Sequence, residues 1–314
     1  VDIKELADGV IRGEKRSLAR AITVVENNPG GTRELLGYIY PHTGGAYIIG
    51  VTGSPGVGKS TLVYSLARYY RSLGKKVGVL AVDPTSPFTG GAILGDRIRM
   101  SGGEIDQGLY IRSLASRGHL GGLSEAASDA LALIDAAGYE IILLETVGTG
   151  QAEVEVMRFA HTVLVTLVPG LGDEIQAIKA GILEIGDVFV VNKADRDGVD
   201  KTVLEIEMML DLAPLVSYRP RVIRTVASKD EGIEELVKEI ERHKEHLIAS
   251  DALNQKQMYM AEERVKDILI RRVSAYVLDR AGTDLDIAMQ DIASRKKDPY
   301  TAAEEILKDW FEEA

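Results

Sequence analysis

Tyr47-Ile48-Ile49-Gly50-Val51-Thr52, followed at once by Gly53-Ser54-Pro55-Gly56-Val57-Gly58-Lys59-Ser60-Thr61, is the stretch that decides the fold. The first six residues are an apolar, partly β-branched run, the texture of a buried strand. Helical spacing sets in at Lys59 and runs to about Leu73. Between them lies G-x-x-x-x-G-K-[ST] in full, in the strand-loop-helix context that its chemistry requires. Glycines let the backbone N–H groups wrap an anion, and the helix start adds a favourable dipole end. Lys59 reaches the terminal phosphates and the Ser60 hydroxyl ligates Mg²⁺. The alternative, a glycine-rich turn that holds no nucleotide, is disfavoured by this context.

The same texture continues outward. Short apolar runs recur at Val77-Val82, Ile141-Leu144, Val163-Val168, Val188-Val191 and Val222-Val226, with amphipathic segments between them. Strands so apolar are covered on both faces, and helices between them imply parallel βαβ units. The fold expected is therefore α/β, a doubly wound, mostly parallel sheet over residues 46–248. Residues 1–45 form a helical extension, with a break expected at Asn28-Pro29-Gly30-Gly31. Residues 249–314 form a second, in which Met258, Ala261, Val265, Ile268, Leu269, Val273, Tyr276 and Val277 recur at helical spacing. Ala281-Gly282 is expected to end that helix, and Thr301 with Glu304 reads as a capping box for a later one. This tail is too short for a core of its own, so its stripe must pack on the α/β body or on another subunit.

Composition narrows the class. The 314 residues carry 37 Lys+Arg against 48 Asp+Glu, a net charge of −11, which argues against sequence-independent nucleic-acid binding. There is no cysteine, hence no disulfide framework, thiolate metal cage or thiol nucleophile. No leader-like segment or membrane span is read, and the expectation is a cytoplasmic protein.

The strand Val188-Val191 ends in Asn192-Lys193-Ala194-Asp195. A carboxylate there can accept from guanine's ring N1–H and exocyclic N2–H₂, whereas adenine offers a mismatched edge. Lys193's stem can cover the base, and Asn192 can tie this loop to the phosphate loop. N-K-x-D alone is a weak pattern, but downstream of a complete phosphate loop it points to GTP. Ala227-Ser228-Lys229, after the last strand, is where a second backbone contact to the guanine oxygen would fall, and by itself that triplet carries almost no weight. Acids follow two other strands: Asp83 in Asp83-Pro84-Thr85 and Glu145 in Glu145-Thr146-Val147-Gly148, with Asp96 in a nearby glycine-rich segment. Together they are candidates to hold Mg²⁺ with Ser60. Each taken singly is equally well explained as a capping or solvated acid. The water-orienting glutamine of many small GTPases directly follows the glycine of D-x-x-G. Here Glu replaces that Asp, and Gln151 stands two positions beyond the expected place, so slow intrinsic hydrolysis is expected. Arg112, Arg117 and His119 face either an acidic partner or solvent.

The phosphate loop, Asp83-Pro84-Thr85-Ser86-Pro87, Gly95-Asp96-Arg97, Glu145-Thr146-Val147-Gly148, Val168-Pro169-Gly170-Leu171-Gly172-Asp173-Glu174-Ile175-Gln176 and N-K-A-D together resemble the MeaB/ArgK family of SIMIBI-class P-loop GTPases. These are chaperones of adenosylcobalamin-dependent methylmalonyl-CoA mutase, some of them labelled earlier as transport ATPases. The resemblance implies that Asp83, Asp96 and Glu145 belong, with Lys59, to the magnesium and catalytic region. It also implies nucleotide switches over roughly Asp83 to Arg97 and Glu145 to Glu153, which include Gly148 and Gln151. A further switch over Pro169 to Lys179 would place Asp173, Gln176 and Lys179 toward the partner. It implies a homodimer through the C-terminal helices, and a partner role of gating cofactor loading and protecting the mutase.

Rival readings are a GTPase metallochaperone, an ATP-using kinase or transport component, and a module that holds nucleotide without turnover. Absent cysteines and mostly scattered histidines weigh against the first. N-K-A-D weighs against the second, and the intact Lys59, Ser60 and acids against the third.

Overall fold

The computed structural model describes residues 2–27, 29–84, 106–116, 125–146, 155–170, 182–212 and 218–311. Residues 1–256 form one compact unit and residues 257–314 a second.

Among the described residues seven strands build the first unit: β1 (Tyr47–Thr52), β2 (Val77–Pro84), β3 (Leu109–Ser116), β4 (Ile141–Thr146), β5 (Thr162–Leu167), β6 (Val188–Val191) and β7 (Val222–Arg224). Their order is β3-β2-β4-β1-β5-β6-β7, and every neighbouring pair is parallel. Alternate residues serve opposite faces. On one face Ile142, Leu144, Val163, Val165, Phe189 and Val191 join a core with the N-terminal helices. On the other, Ile141, Leu143, Leu164, Val188 and Val190 meet Leu62, Val63 and Leu66 from helix α4 (Lys59–Ser72). Both faces are covered, which is why these strands read as continuous apolar runs.

The N-terminal helices are α1 (Ile3–Ile11), α2 (Lys15–Asn27) and α3 (Pro29–Ile39). Leu6, Val10, Leu18, Ile22 and Leu35 pack with Ala130, Leu133 and Ile134 of α5 (Glu125–Ala136) in the first core. The expected break at residues 28–31 is narrower than its four residues suggest, because Pro29 opens α3 and Gly30 and Gly31 lie within it. Proline suits a helix start, where its missing N–H leaves no bond unmade. The Asp135 carboxylate accepts from the N–H groups of Gly44 at 2.5 Å and Ala46 at 2.9 Å, fixing the chain as it enters β1.

Strand β3 lies at the sheet edge and is an addition to the six strands expected. Its Arg112 and Ser113 are only half-buried, so the apolar run that marks the inner strands is interrupted. Arg112 pairs with Glu26 of α2 and therefore serves the fold; Arg117 and His119 lie outside the described residues. The remaining helices of this unit are α6 (Ile182–Ile185), α7 (Val199–Leu212) and α8 (Ile233–Ala249), before α9 (Ala252–Ala293) begins.

In the second unit, α9 kinks at Gly282 (φ 31°, ψ −110°), where a helix end was expected. Helix α10 (Pro299–Phe311) is capped by Asp298, whose Oδ1 accepts from the N–H groups of Tyr300 at 2.9 Å and Thr301 at 3.0 Å. Thr301 is therefore inside the helix, not its cap, and donates its hydroxyl to Asp298 Oδ2 at 2.6 Å. Among the described residues of this unit the buried apolar side chains are Ala281, Ala288 and Ala302, while Met258, Val265, Leu269, Val273 and Tyr276 are all more than half exposed. No helix among the described residues is long and apolar enough to cross a membrane.

The edge of the sheet where strands begin carries a buried polar cluster. Thr162 Oγ1 lies 2.6 Å from the Tyr47 hydroxyl and 2.8 Å from His243 Nδ1. His161 Nδ1 accepts the Ile48 N–H at 2.9 Å, and its ring stacks on Tyr47. Burial, helped by the Lys256 and Lys244 charges, pushes the His161 pKa down to about 4, and burial also lowers that of His243. Above the unfolded value near 6.5 neither folded nor unfolded His161 is charged. Below it the unfolded chain takes up the proton first, so stability falls as pH drops from 6.5 to about 4. The urea midpoint should drop across that window, His161 contributing of order 3 kcal/mol at most. His161→Gln should flatten the profile; an unchanged slope would show that the ring is not held neutral.

Candidate functional site

A parallel sheet brings the C-terminal ends of all its strands to one edge, and the site is assembled there. Between β1 and α4 the phosphate loop turns on Gly53 and Gly58. Gly53 (φ 136°) passes so close to β5 that a Cβ would lie 2.2 Å from the Thr166 carbonyl oxygen. Gly58 (φ 95°) is the residue before α4, and a Cβ there would lie 2.6 Å from Asn192 Nδ2. Only glycine meets both the conformation and the space.

Lys59 opens α4 and is buried; its ammonium donates to the carbonyls of Gly53 at 2.5 Å and Ser54 at 2.9 Å. An anion reaching this cation would have to compete with the loop's own carbonyls for it. Ser60 donates its hydroxyl to Glu145 Oε1 at 2.6 Å, across from the end of β4. A hydroxyl and a buried carboxylate meeting at one point are hard oxygen donors of the kind Mg²⁺ takes, so these residues fit that ion. Asp83 is next to last in β2, one residue past Val82, which pairs with Thr146 of β4, but its side chain lies outside the described residues. Asp96, Gly148, Gln151, Asp173, Gln176 and Lys179 also lie outside them.

The second half of the site follows β6. Asn192 is buried, and its Nδ2 donates to the Val57 carbonyl at 2.9 Å, across to the phosphate loop. Its Oδ1 accepts from Thr225 Oγ1 and from the Ala227 N–H, each at 3.1 Å. Lys193 (φ 55°) donates to the Gly56 carbonyl at 2.6 Å, a second tie between the two loops. Asp195 stands two residues on and bonds Lys229 Nζ at 3.1 Å. This ammonium holds the Asp195 carboxyl below the usual carboxylate range, so at neutral pH it is an acceptor only. Ala227 and Ser228 sit in the single 3₁₀ turn Ala227–Lys229 that follows β7. The structure thus brings Gly53, Ser54, Gly56, Val57, Gly58, Lys59 and Ser60 together with Asn192, Lys193, Asp195 and Ala227 at one edge.

Sequence reasoning missed Thr225, Ser65 and Asp230, and gave Lys229 no weight. Ser65 is a buried hydroxyl among Leu62, Val63, Leu66 and Ala67 on the apolar face of α4. A polar atom on such a face demands a partner, and that was the one signal available.

The chain matches the family model described as methylmalonyl Co-A mutase-associated GTPase MeaB over residues 18–282. It is 46% identical over 314 residues to a putative GTPase of Pyrococcus abyssi, covering 98% of this chain and 96% of that one. It is 38% identical over 262 residues to the GTPase ArgK of Escherichia coli, covering 80% and 79% of the two chains. Among solved structures it resembles one titled an LAO/AO transport system kinase, with a TM-score of 0.75 and 27% identity, covering 98% and 96%. The chain belongs to the MeaB family and is a P-loop GTPase.

Asn192→Ala would leave the Val57 carbonyl, the Thr225 hydroxyl and the Ala227 N–H without their partner. Urea denaturation should show a loss of about 3 kcal/mol, since an orphaned buried polar group costs roughly 1–3 kcal/mol. A loss within error would mean the three loops hold their places unaided.

Proposed function

We propose that this member of the MeaB family is a GTP-binding and GTP-hydrolysing switch that serves as chaperone of adenosylcobalamin-dependent methylmalonyl-CoA mutase, gating cofactor loading and protecting the enzyme. The family's mutase-associated description supports the choice of partner. The observation that carries the nucleotide reading is the Asn192 tie, which fastens the loop bearing Asp195 to the loop bearing Lys59. One molecule can then be gripped at its base and its phosphates together. Asp195 would accept from guanine N1–H and N2–H₂, and Lys193's stem would lie along the base. Backbone N–H groups of the phosphate loop and Lys59 would hold the phosphates, with Ser60 and Glu145 holding Mg²⁺. When bound, Mg²⁺ supplies charge neutralisation on the β- and γ-phosphates. Asp83 and Asp96 are proposed to share in that region, and the segments containing Gly148, Gln151, Asp173, Gln176 and Lys179 to act as switches.

The apolar face of α9 favours a homodimer. Val265, Leu269, Val273 and Tyr276 are spaced at four, four and three residues and are all exposed. A second copy would bury them. The place of action proposed is the cytoplasm.

Asp195→Asn should weaken GTP and favour xanthosine triphosphate, because the new amide can donate to the xanthine oxygen. Unmoved nucleotide preference would remove Asp195 from the base site. Single-turnover hydrolysis should be slow alone and faster with the mutase, and Lys59→Ala should abolish it. Rapid turnover insensitive to the mutase would contradict the switch. Retention of a mutase on the immobilised protein, with different yields for a non-hydrolysable GTP analogue and for GDP, tests the partner.

A further inference from the structure

Helix α4 does more than present Lys59 and Ser60. Five residues beyond Ser60, the buried Ser65 hydroxyl lies 2.8 Å from the Ala227 carbonyl and within hydrogen-bonding distance of Asp230 Oδ1. Arg68, one turn further along the helix, holds the other Asp230 oxygen at 3.2 Å. Asp230 is in the left-handed conformation (φ 58°) that ends the 3₁₀ turn, so its side chain is held where the backbone reverses. Val226, two residues past β7, and Glu231 then close the turn with reciprocal backbone bonds of 3.0 and 3.3 Å. Within this turn Lys229 reaches across to Asp195 Oδ2. An unbroken chain of contacts thus runs from the phosphate-bearing helix to the carboxylate at the base site: Arg68 and Ser65 to Asp230, through one turn to Lys229, and on to Asp195.

We propose that Ser65 and Lys229 are positioning residues for guanine selectivity, Ser65 bolting the 227–230 turn to the phosphate-loop helix and Lys229 orienting the Asp195 carboxylate toward the base. The inference rests on the reading of Asp195 as the group that recognises guanine. A carboxylate accepts up to about four hydrogen bonds, so the single bond from Lys229 leaves room for both guanine donors. Lys229 is half exposed, and a pair so placed orients more than it stabilises. Its removal would free the Asp195 side chain to rotate away, and the discrimination that depends on aim would suffer most.

The test compares dissociation constants for GDP and for inosine diphosphate, which lacks the 2-amino group that Asp195 would take. Lys229→Ala should weaken GDP about threefold and narrow the preference for GDP over inosine diphosphate, with Lys229→Arg restoring most of it. Ser65→Ala should weaken GDP about tenfold and narrow the same ratio. Asp230→Ala, a more exposed change, should do likewise, and the Ser65→Ala, Asp230→Ala double variant should lose little more than either alone. In an Asp195→Asn background, Lys229→Ala should have no further effect. If Lys229→Ala leaves the ratio unchanged or tightens GDP, Lys229 is a bystander or a competitor and the proposal is overturned. A shift of Asp195→Asn toward xanthine nucleotides, with the ratio unmoved in Ser65→Ala, Asp230→Ala and Lys229→Ala, defeats this inference alone. No shift in Asp195→Asn defeats the base-site reading and this inference with it.

Discussion

One side chain, the Asn192 carboxamide, holds the site together. Three loops leave the C-terminal ends of β1, β6 and β7, and a parallel sheet guarantees only that they emerge at the same edge. Asn192 turns that coincidence into a fixed arrangement, because it donates to Val57 in the first loop and accepts from Thr225 and Ala227 in the third. Its burial makes each bond obligatory, since no water is at hand to replace a lost partner. Gly58 must be glycine partly because Asn192 occupies the space a Cβ would need. The phosphate-loop pattern and the base-site pattern, far apart in sequence, are thus two sides of one contact.

The same constraint explains why so much was legible from residue order. A parallel sheet buried on both faces demands unbroken apolar runs, and the five inner strands announce themselves in that way, while the edge strand β7 is short and is marked by Val222 and Ile223. Strand β3 escapes because an edge position tolerates Arg112 and Ser113, one of which pairs with Glu26 instead of facing apolar neighbours. Helix starts were read less well, for Pro29 and Asp298 act through geometry that competing turn signals obscure. At the site, Lys59, Ser60, Asn192 and Asp195 belong to short contiguous patterns. Ser65, Thr225 and Asp230 act only across the fold, and their partners lie 33 to 165 positions away.

Rigidity and readiness are divided between the two edges of the sheet. Where the strands begin, His161, Thr162, Tyr47 and His243 form a buried, mutually bonded set, with Lys256 donating to the His161 carbonyl at 2.9 Å. Where they end, Lys59 and Ser60 make bonds that nucleotide and metal would exchange for their own. Such an exchange would change the partner of Glu145, near the end of β4, the first residue of the segment that the family resemblance marks as a switch. The second unit exposes the apolar side chains Val265, Leu269, Val273 and Tyr276, the stripe proposed above to meet a second copy.

Equilibrium binding of GDP and ADP to the unmodified protein, with Mg²⁺ present, tests the account most directly. It predicts that GDP binds at least about a hundredfold more tightly, because ADP would leave the Asp195 carboxylate facing an edge it cannot satisfy. Comparable affinities for the two nucleotides would contradict the central claim that the loop tied down by Asn192 reads guanine.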